Sequence, residues 1–163
     1  MIILLELFII LEIFAPVIFV IAIVLAVLAI IVLLTFKSYY KRIYKEDDKR
    51  VYSNKAKAMR DSEDKIFSGK FDSEINGVQF VARRRINLEI YPQGIILKPI
   101  ILPPLTIYKD EISKLQFLKA GVVFTDLKIE HKCSEIKGSL IYLYLRKKEV
   151  AKLKNYFNKN KDE

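Results

Sequence analysis

Two residues late in the chain, His131 and Cys133, are of the types that bind metals or take part in acid–base and nucleophilic chemistry. Glu130 and Glu135 place oxygen donors beside them. A structural zinc site needs two spaced pairs of Cys or His ligands, whereas this chain has one histidine and one cysteine. It has five glycines and neither a glycine-rich phosphate loop nor a nucleophile elbow. We therefore predict no enzymatic activity, no metal site and no cofactor, and we interpret His131 as a structural residue at the end of a strand.

The basic run Arg83-Arg84-Arg85 is a second candidate for chemistry, because it could bind an anion. On a continuous strand Arg84 would share an apolar row with Phe80 and Ile86, where an unpaired charge is costly. We therefore predict that the strand breaks or bulges here and leaves the three arginines beside a loop. The alternative is a solvated basic edge without a ligand.

The charged residues that surround these candidates are distributed unevenly. Of 163 residues, 28 are Lys or Arg and 19 are Asp or Glu, which gives a net charge of +9. The first of these bases is Lys37, and residues 1–36 contain only two charged residues, Glu6 and Glu12. Nine bases follow within residues 37–60. This distribution excludes an ordinary soluble protein, and the lack of a second long apolar run excludes a multi-span transporter.

Residues 13–36 carry no charge and are predicted to form a transmembrane helix. A helix of this length reaches roughly 36 Å, which exceeds the ~30 Å hydrocarbon layer. A cleaved signal peptide would need bases before a shorter apolar core, so we predict an uncleaved anchor. Because the bases follow the span, the N-terminus should lie outside and the C-terminal domain in the cytoplasm. Pro16 favours a helix that begins near Ile13, with residues 1–12 as an outer or interfacial segment.

Small residues line one face of this predicted span, at alternating helical steps of three and four. Small side chains let a second helix approach closely, and a carboxyl group near lipid needs a partner or a route to water. We predict that this face binds a membrane protein partner or a second copy of the chain. The alternative is that Ala is merely common here and that Glu12 marks the outer interface. The residues of this helix-association face are Glu12, Ala15, Ala22, Ala26 and Ala29.

Residues 37–64 are predicted to form a basic juxtamembrane helical linker. Each base near an anionic leaflet contributes about 1 kcal/mol of attraction, so the linker could contact lipid. The simpler interpretation is a solvated helix that acts as a topology signal. Tyr40, Ile43, Tyr44 and Val51 form a weak apolar stripe at helical spacing, which suggests that the membrane helix continues into the cytoplasm.

After this linker the hydrophobic pattern changes from helical spacing to the alternation typical of strands. Strands are predicted near residues 65–71, 78–82, 87–91, 95–98, 105–108, 114–118, 122–131 and 140–146, with a short helical turn at 110–112. Residues 147–158 return to helical spacing. The pattern predicts a domain over residues 65–158, a bent antiparallel sheet or open barrel capped by a C-terminal helix, and a charged tail at 159–163.

Residues 87–97 (NLEIYPQGIIL) and 104–117 (PLTIYKDEISKLQF) resemble bacterial pleckstrin-homology-like (PH-like) and GRAM-like domains in apolar pattern and order of elements. The resemblance implies a bent seven-stranded sheet plugged by a C-terminal helix. Eight strands are predicted, so either two short strands are continuous or one prediction is wrong. The family consists mostly of binding or scaffold modules, some of which recognise anionic lipid headgroups. A loose basic pattern of the lipid-binding members, Lys followed by Arg-x-Arg, is matched here, so the predicted lipid- or anion-binding residues are Lys70, Arg83, Arg84 and Arg85.

The sequence thus predicts a single transmembrane α-helix followed by a mainly-β (α+β) domain. We expect a membrane-tethered, non-enzymatic binding or scaffolding module at the inner face of the membrane. Two alternatives are a small accessory subunit of a larger membrane complex, associating through its transmembrane helix, and a membrane-anchored enzyme. The expected partners are the lipid bilayer, anionic lipid headgroups, and a membrane protein or a second copy. Nucleic acid is disfavoured, because residues 61–163 hold 19 bases against 14 acids and no recognition motif.

Overall fold

The structure is a computed structural model, and it describes residues 2–81, 86–120, 124–146, 149–151, 153 and 154. The chain divides into two compact units, Met1–Tyr39 and Tyr40–Glu163. The first unit contains most of helix α1 (Ile2–Ile43). The second contains the last residues of α1, helix α2 (Lys49–Ser62) and a β-sheet.

Helix α1 begins at Ile2, which differs from the start near Ile13 that the sequence predicts. Pro16 therefore lies inside the helix, where it cannot donate the usual hydrogen bond to the carbonyl four residues earlier. The stretch Phe14–Ile43 is long and apolar enough to cross a membrane, and residues 14–35 are exposed in the isolated chain. By its length and composition this stretch is a candidate membrane span.

One antiparallel sheet forms the framework of the second unit. All eight predicted strands are present, with ends that differ from the prediction by a few residues. They are β1 (Phe67–Ile75), β2 (Val78–Phe80), β3 (Ile86–Tyr91), β4 (Gly94–Pro99), β5 (Leu105–Tyr108), β6 (Ile112–Ala120), β7 (Phe124–His131) and β8 (Leu140–Arg146). A 3-10 turn, Lys109–Glu111, joins β5 to β6.

The strand order β5-β4-β3-β1-β8-β7-β6 shows why the sheet is curled. Its two outermost strands, β5 and β6, are consecutive in the chain and are joined by the 3-10 turn alone. Such a short connection requires the two edges of the sheet to approach each other. Strands β2 and β3 both pair with β1 on the side opposite β8. The eight strands therefore occupy seven positions, which reconciles the eight predicted strands with the seven that the family resemblance implies.

Alternating apolar residues point into the curl and form the core. They include Phe71, Ile75, Ile86, Leu88, Ile90, Ile95, Leu97, Leu105, Ile107, Leu127, Ile129, Ile141, Leu143 and Leu145, all buried. Residues 149–151, 153 and 154 are helical, within the predicted C-terminal helix, and Leu153 is fully buried. The predicted fold class, an apolar N-terminal helix followed by a curled antiparallel sheet with a C-terminal helix, is confirmed.

Helix α2 packs on the outer face of the sheet. Its buried residues, Tyr52, Ala56 and Met59, follow helical spacing along one side. Ala56 and Met59 contact Tyr91 of β3 and Ile96 of β4, which alternate with the core residues and so face outward. The stretch for which the sequence favours a solvated linker therefore contains a helix with a buried face.

Candidate functional site

Three loops at one end of the sheet surround the segment where α1 ends. We call residues 40–45 the exit segment; it includes the last four residues of α1 and belongs to the second unit. The loops are the β1–β2 turn (76–77), the β4–β5 loop (100–104) and the β7–β8 loop (132–139), and we call them the collar. The collar makes contact with each residue from Lys41 to Lys45.

The collar caps the free carbonyl groups at the end of α1. The last carbonyls of a helix have no partner within the helix. Here the Ile43 carbonyl accepts from the backbone N–H of Lys137 at 2.7 Å, and the Arg42 carbonyl accepts from the side-chain amide of Asn76 at 3.4 Å. The Lys41 carbonyl accepts from the ammonium group of Lys137. A cation at this position is also stabilised by the negative end of the helix dipole.

Beyond the helix, the exit segment continues as a short extended piece that pairs with the β7–β8 loop. Tyr44 forms an isolated antiparallel bridge with Ile136. The N–H of Lys45 donates to the carbonyl of Glu135 at 3.0 Å. The hydroxyl of Tyr44 donates to the carbonyl of Pro103 in the β4–β5 loop. Two loops therefore hold the first residues after the helix.

Three tyrosines pack together behind this contact. The ring of Tyr44 stacks on Tyr40 with centroids 4.5 Å apart and meets Tyr52 of α2 edge-on at 4.7 Å. All three tyrosines are buried. Burial raises the pKa of Tyr44, so its hydroxyl stays protonated and keeps its role as a donor. The exit segment is thus part of the hydrophobic core of the second unit.

The collar depends on two loops with left-handed backbone. Asn76 and Gly77 have φ of 51° and 72°, which gives the tight turn between β1 and β2 that Asn-Gly favours. Gly138 has φ of 68°, and a Cβ atom there would overlap the Asn76 side chain. Asn76, Gly77, Lys137 and Gly138 are not among the residues that the sequence singles out. The Asn-Gly pair is an available signal, whereas nothing local marks Lys137 or Gly138.

A charged cluster lies beside the collar and connects α2 with the sheet. The ammonium group of Lys55 is 3.5 Å from Glu111 and 3.2 Å from Glu135. It also lies over the ring of Tyr108, 4.9 Å from the centroid. Cys133 completes the cluster, with its sulfur 4.0 Å from the same ammonium group. These contacts hold Cys133 and Glu135 of the β7–β8 loop against α2.

The two residues with catalytic potential, His131 and Cys133, are both buried. His131 is 2% exposed, and neither ring nitrogen has a hydrogen-bond partner among the described residues. Burial lowers the pKa of His131, against the opposing effect of Glu111, and burial raises the pKa of the Cys133 thiol. Both groups are therefore uncharged near neutral pH. The described part of the chain contains no group of three His, Cys, Asp or Glu side chains arranged to hold a metal ion.

Of the predicted lipid- or anion-binding residues, the structure describes Lys70. It is exposed on β1, opposite Asn87 of β3. Arg83, Arg84 and Arg85 lie outside the described residues, in the segment between Phe80 and Ile86. The anion site therefore stays a prediction.

The predicted helix-association face lies on α1. Ala15, Ala22, Ala26 and Ala29 are helical and exposed, while the side chain of Glu12 is outside the described part of the structure. Their spacing puts the four alanines on one side of a regular helix. Association through this face likewise stays a prediction.

The seven-position curled sheet with its C-terminal helix defines a PH-like fold, as the resemblance of the sequence implies. No protein-family model matches the chain, and no curated protein matches it. A similar solved structure is the Vps36 N-terminal PH domain, with 18% identity and a TM-score of 0.41 over 54% of this chain and 70% of that chain. The assignment of the fold rests on the strand order of this chain.

Proposed function

We propose that the protein is a single-pass membrane protein whose PH-like domain is a non-enzymatic binding or scaffolding module at the cytoplasmic face of the membrane. The observation that carries the proposal is the capping of α1 by the collar. The second unit starts at Tyr40, about four residues after Phe36, the last residue of the predicted span. A domain that starts so close to an anchor works next to the bilayer.

The short connection between the predicted span and the domain affects how strongly the domain must bind its ligands. A flexible linker over residues 37–64 would let the domain move over roughly 30 Å. Because the exit segment is instead packed inside the domain, the domain stays in a thin layer beside the membrane. Ligands in that layer meet it at a raised effective concentration, so a weak intrinsic affinity is sufficient for binding.

The charges on the exit segment support the proposed orientation. Lys41, Arg42 and Lys45 have exposed side chains shortly after Phe36, the last residue of the predicted span. Bases close to the end of a span remain in the cytoplasm. The same bases attract the anionic lipids of the inner leaflet.

Protease accessibility tests both the anchoring and the orientation of the full chain. After an alkaline carbonate wash, the chain should remain with the membranes. In inverted membrane vesicles, added protease should digest the domain, whereas right-side-out vesicles should protect it. Digestion in right-side-out vesicles, or release of the chain by carbonate, would contradict the proposal.

A second candidate function is that of an accessory subunit of a membrane complex. The exposed alanine face of α1 favours it, because small residues permit close helix packing. Replacing both Ala22 and Ala26 with Ile should then abolish copurification with the partner. Unchanged association in this double variant would exclude packing through that face.

A further inference from the structure

The β4–β5 loop of the collar exposes two large apolar side chains. Ile100 and Ile101 are 71% and 62% exposed, more than any other large apolar residue described in the second unit. Residues 99–104 (PIILPP) contain no charged or hydrogen-bonding side chain. Together the two side chains form a small exposed apolar patch, and exposed apolar patches are a feature of surfaces that bind proteins or membranes.

The loop is held in place by the exit segment. Pro99, Pro103 and Pro104 restrict its backbone, because each proline ring fixes φ near −65°. The carbonyl of Pro103 accepts a hydrogen bond from the buried hydroxyl of Tyr44. Ile100 and Ile101 are therefore carried by a restrained loop that is attached to the residue following α1.

The point of attachment, Tyr44, is separated by only a short length of chain from Phe36, the last residue of the predicted span. Tyr44 follows Phe36 by about eight residues, which even a fully extended chain covers in about 28 Å. The exposed bases Lys41, Arg42 and Lys45 belong to the same short stretch. An apolar pair tied to a basic segment is complementary to a bilayer surface, where acyl chains lie below anionic headgroups.

We propose that Ile100 and Ile101 insert into the interfacial layer of an anionic bilayer beside the anchor and give the domain a second contact with the membrane. This inference rests on the proposed function, because it requires α1 to be in the membrane. The occupant is phospholipid. Two neighbouring aliphatic side chains at a loop tip bury far less area than a stable protein–protein interface requires. A small contact with a bilayer is sufficient, because α1 already anchors the chain in that bilayer.

The chain contains no tryptophan, which allows a test in the full-length protein. The variant Ile101→Trp reports on the loop, and its matched control is Ile66→Trp. Ile66 is also an exposed isoleucine, at 52%, but it lies next to Ile90, near the opposite end of strand β3. Each variant is reconstituted into vesicles of phosphatidylcholine and phosphatidylglycerol, with and without phospholipids brominated along the acyl chain. Carbonate washing first establishes that the chain is integral.

In carbonate-washed vesicles, the emission of Ile101→Trp should shift to the blue and lose most of its intensity with brominated lipid. The Ile66→Trp emission should remain that of a solvated tryptophan. Tryptophan itself favours membrane interfaces, so a double variant, Ile100→Asp with Ile101→Trp, is also measured. The tryptophan emission of this double variant should be red-shifted and unquenched by brominated lipid. Retention of the chain with equal, unquenched emission from both positions would overturn this inference alone. Release of the chain by carbonate would overturn the proposed function together with it.

Discussion

The backbone N–H of Lys137 donates a hydrogen bond to the carbonyl of Ile43, the last residue of α1, across 2.7 Å. The two residues are far apart in the sequence, and their contact joins the β7–β8 loop to the helix end. The ammonium group of Lys137 caps a second carbonyl, that of Lys41. One residue therefore provides both a backbone partner and a favourable charge at the C-terminal end of the helix.

The close approach of Gly138 to Asn76 predicts a large cost for a side chain at this position. Gly138→Ala adds a Cβ atom where the Asn76 side chain lies and places it on a left-handed residue. We expect the free energy of unfolding to fall by about 2–4 kcal/mol.

Gly77→Ala is the matched control. Gly77 has a similar positive φ, but no heavy atom lies within 4 Å of the position that a Cβ atom would take there. It should cost only the backbone strain, about 1 kcal/mol. Urea unfolding of the two variants in detergent measures the difference, and equal costs would show that the Asn76 contact is unimportant.

Removing the hydroxyl of Tyr44 should loosen the β4–β5 loop. Tyr44→Phe keeps the ring contacts with Tyr40 and Tyr52 but loses the donor to the Pro103 carbonyl. We expect a loss of about 1 kcal/mol in stability and faster amide hydrogen exchange in residues 100–102. If amide exchange in this loop is as slow in the variant as in the parent chain, the Tyr44 hydrogen bond does not restrain the loop.

Buried His131 should make the domain sensitive to acid. Burial lowers its pKa from 6.5, and the charged groups that act on the ring are Glu111 and Lys45. The unfolded chain therefore takes up a proton at a higher pH than the folded chain. The free energy of unfolding of the domain should therefore fall as the pH drops below about 6.5, until the pH reaches the lowered pKa of His131 in the folded state.

The variant His131→Leu isolates this effect, because the leucine side chain has a volume similar to that of histidine and does not bind a proton. Urea unfolding over a pH series should show a flatter acid limb for the variant than for the parent chain. Parallel curves for the two chains would mean that His131 does not set the acid sensitivity.

The ion pairs of Lys55 predict a measurable coupling between α2 and the β7–β8 loop. The ammonium group is 3.2 Å from Glu135, and both side chains are partly shielded from solvent. A double-mutant cycle with Lys55→Met and Glu135→Gln should give a coupling free energy of about 0.5–1 kcal/mol that decreases in high salt. Strict additivity of the two substitutions would contradict the pairing.

Much of the fold could be predicted from local pattern, because alternation determines which face of a strand is buried. Strand β2 ends at Phe80 and β3 begins at Ile86, and the arginine run between them lies outside the described residues, so the break expected there stays a prediction. The packing of α2 is not predicted, although β4 carries the run Ile95-Ile96-Leu97, which is typical of a strand covered on both faces. Tyr40, Ile43 and Tyr44 are recognisable as an apolar stripe, but the sequence assigns them to an extension of the membrane helix.

The collar could not be predicted from local pattern. Its contacts pair the exit segment with Asn76, Pro103 and Lys137, which are distant in sequence, and hydrogen bonds between backbone carbonyls and remote loops leave no periodic signature. The same limit applies to the exposed isoleucines, because exposure at a loop tip depends on how the flanking strands pair. Only the structure shows that the basic juxtamembrane stretch enters the core.

Amide hydrogen exchange of the full chain in vesicles tests most directly whether the domain holds the end of its own anchor. The informative amides are those of Lys45 and Lys137, which donate to Glu135 and Ile43. We predict that both exchange as slowly as the amides of β8, through opening of the whole domain. If instead they exchange at the rate of an exposed linker while β8 remains protected, the exit segment is not part of the domain and the central claim is wrong.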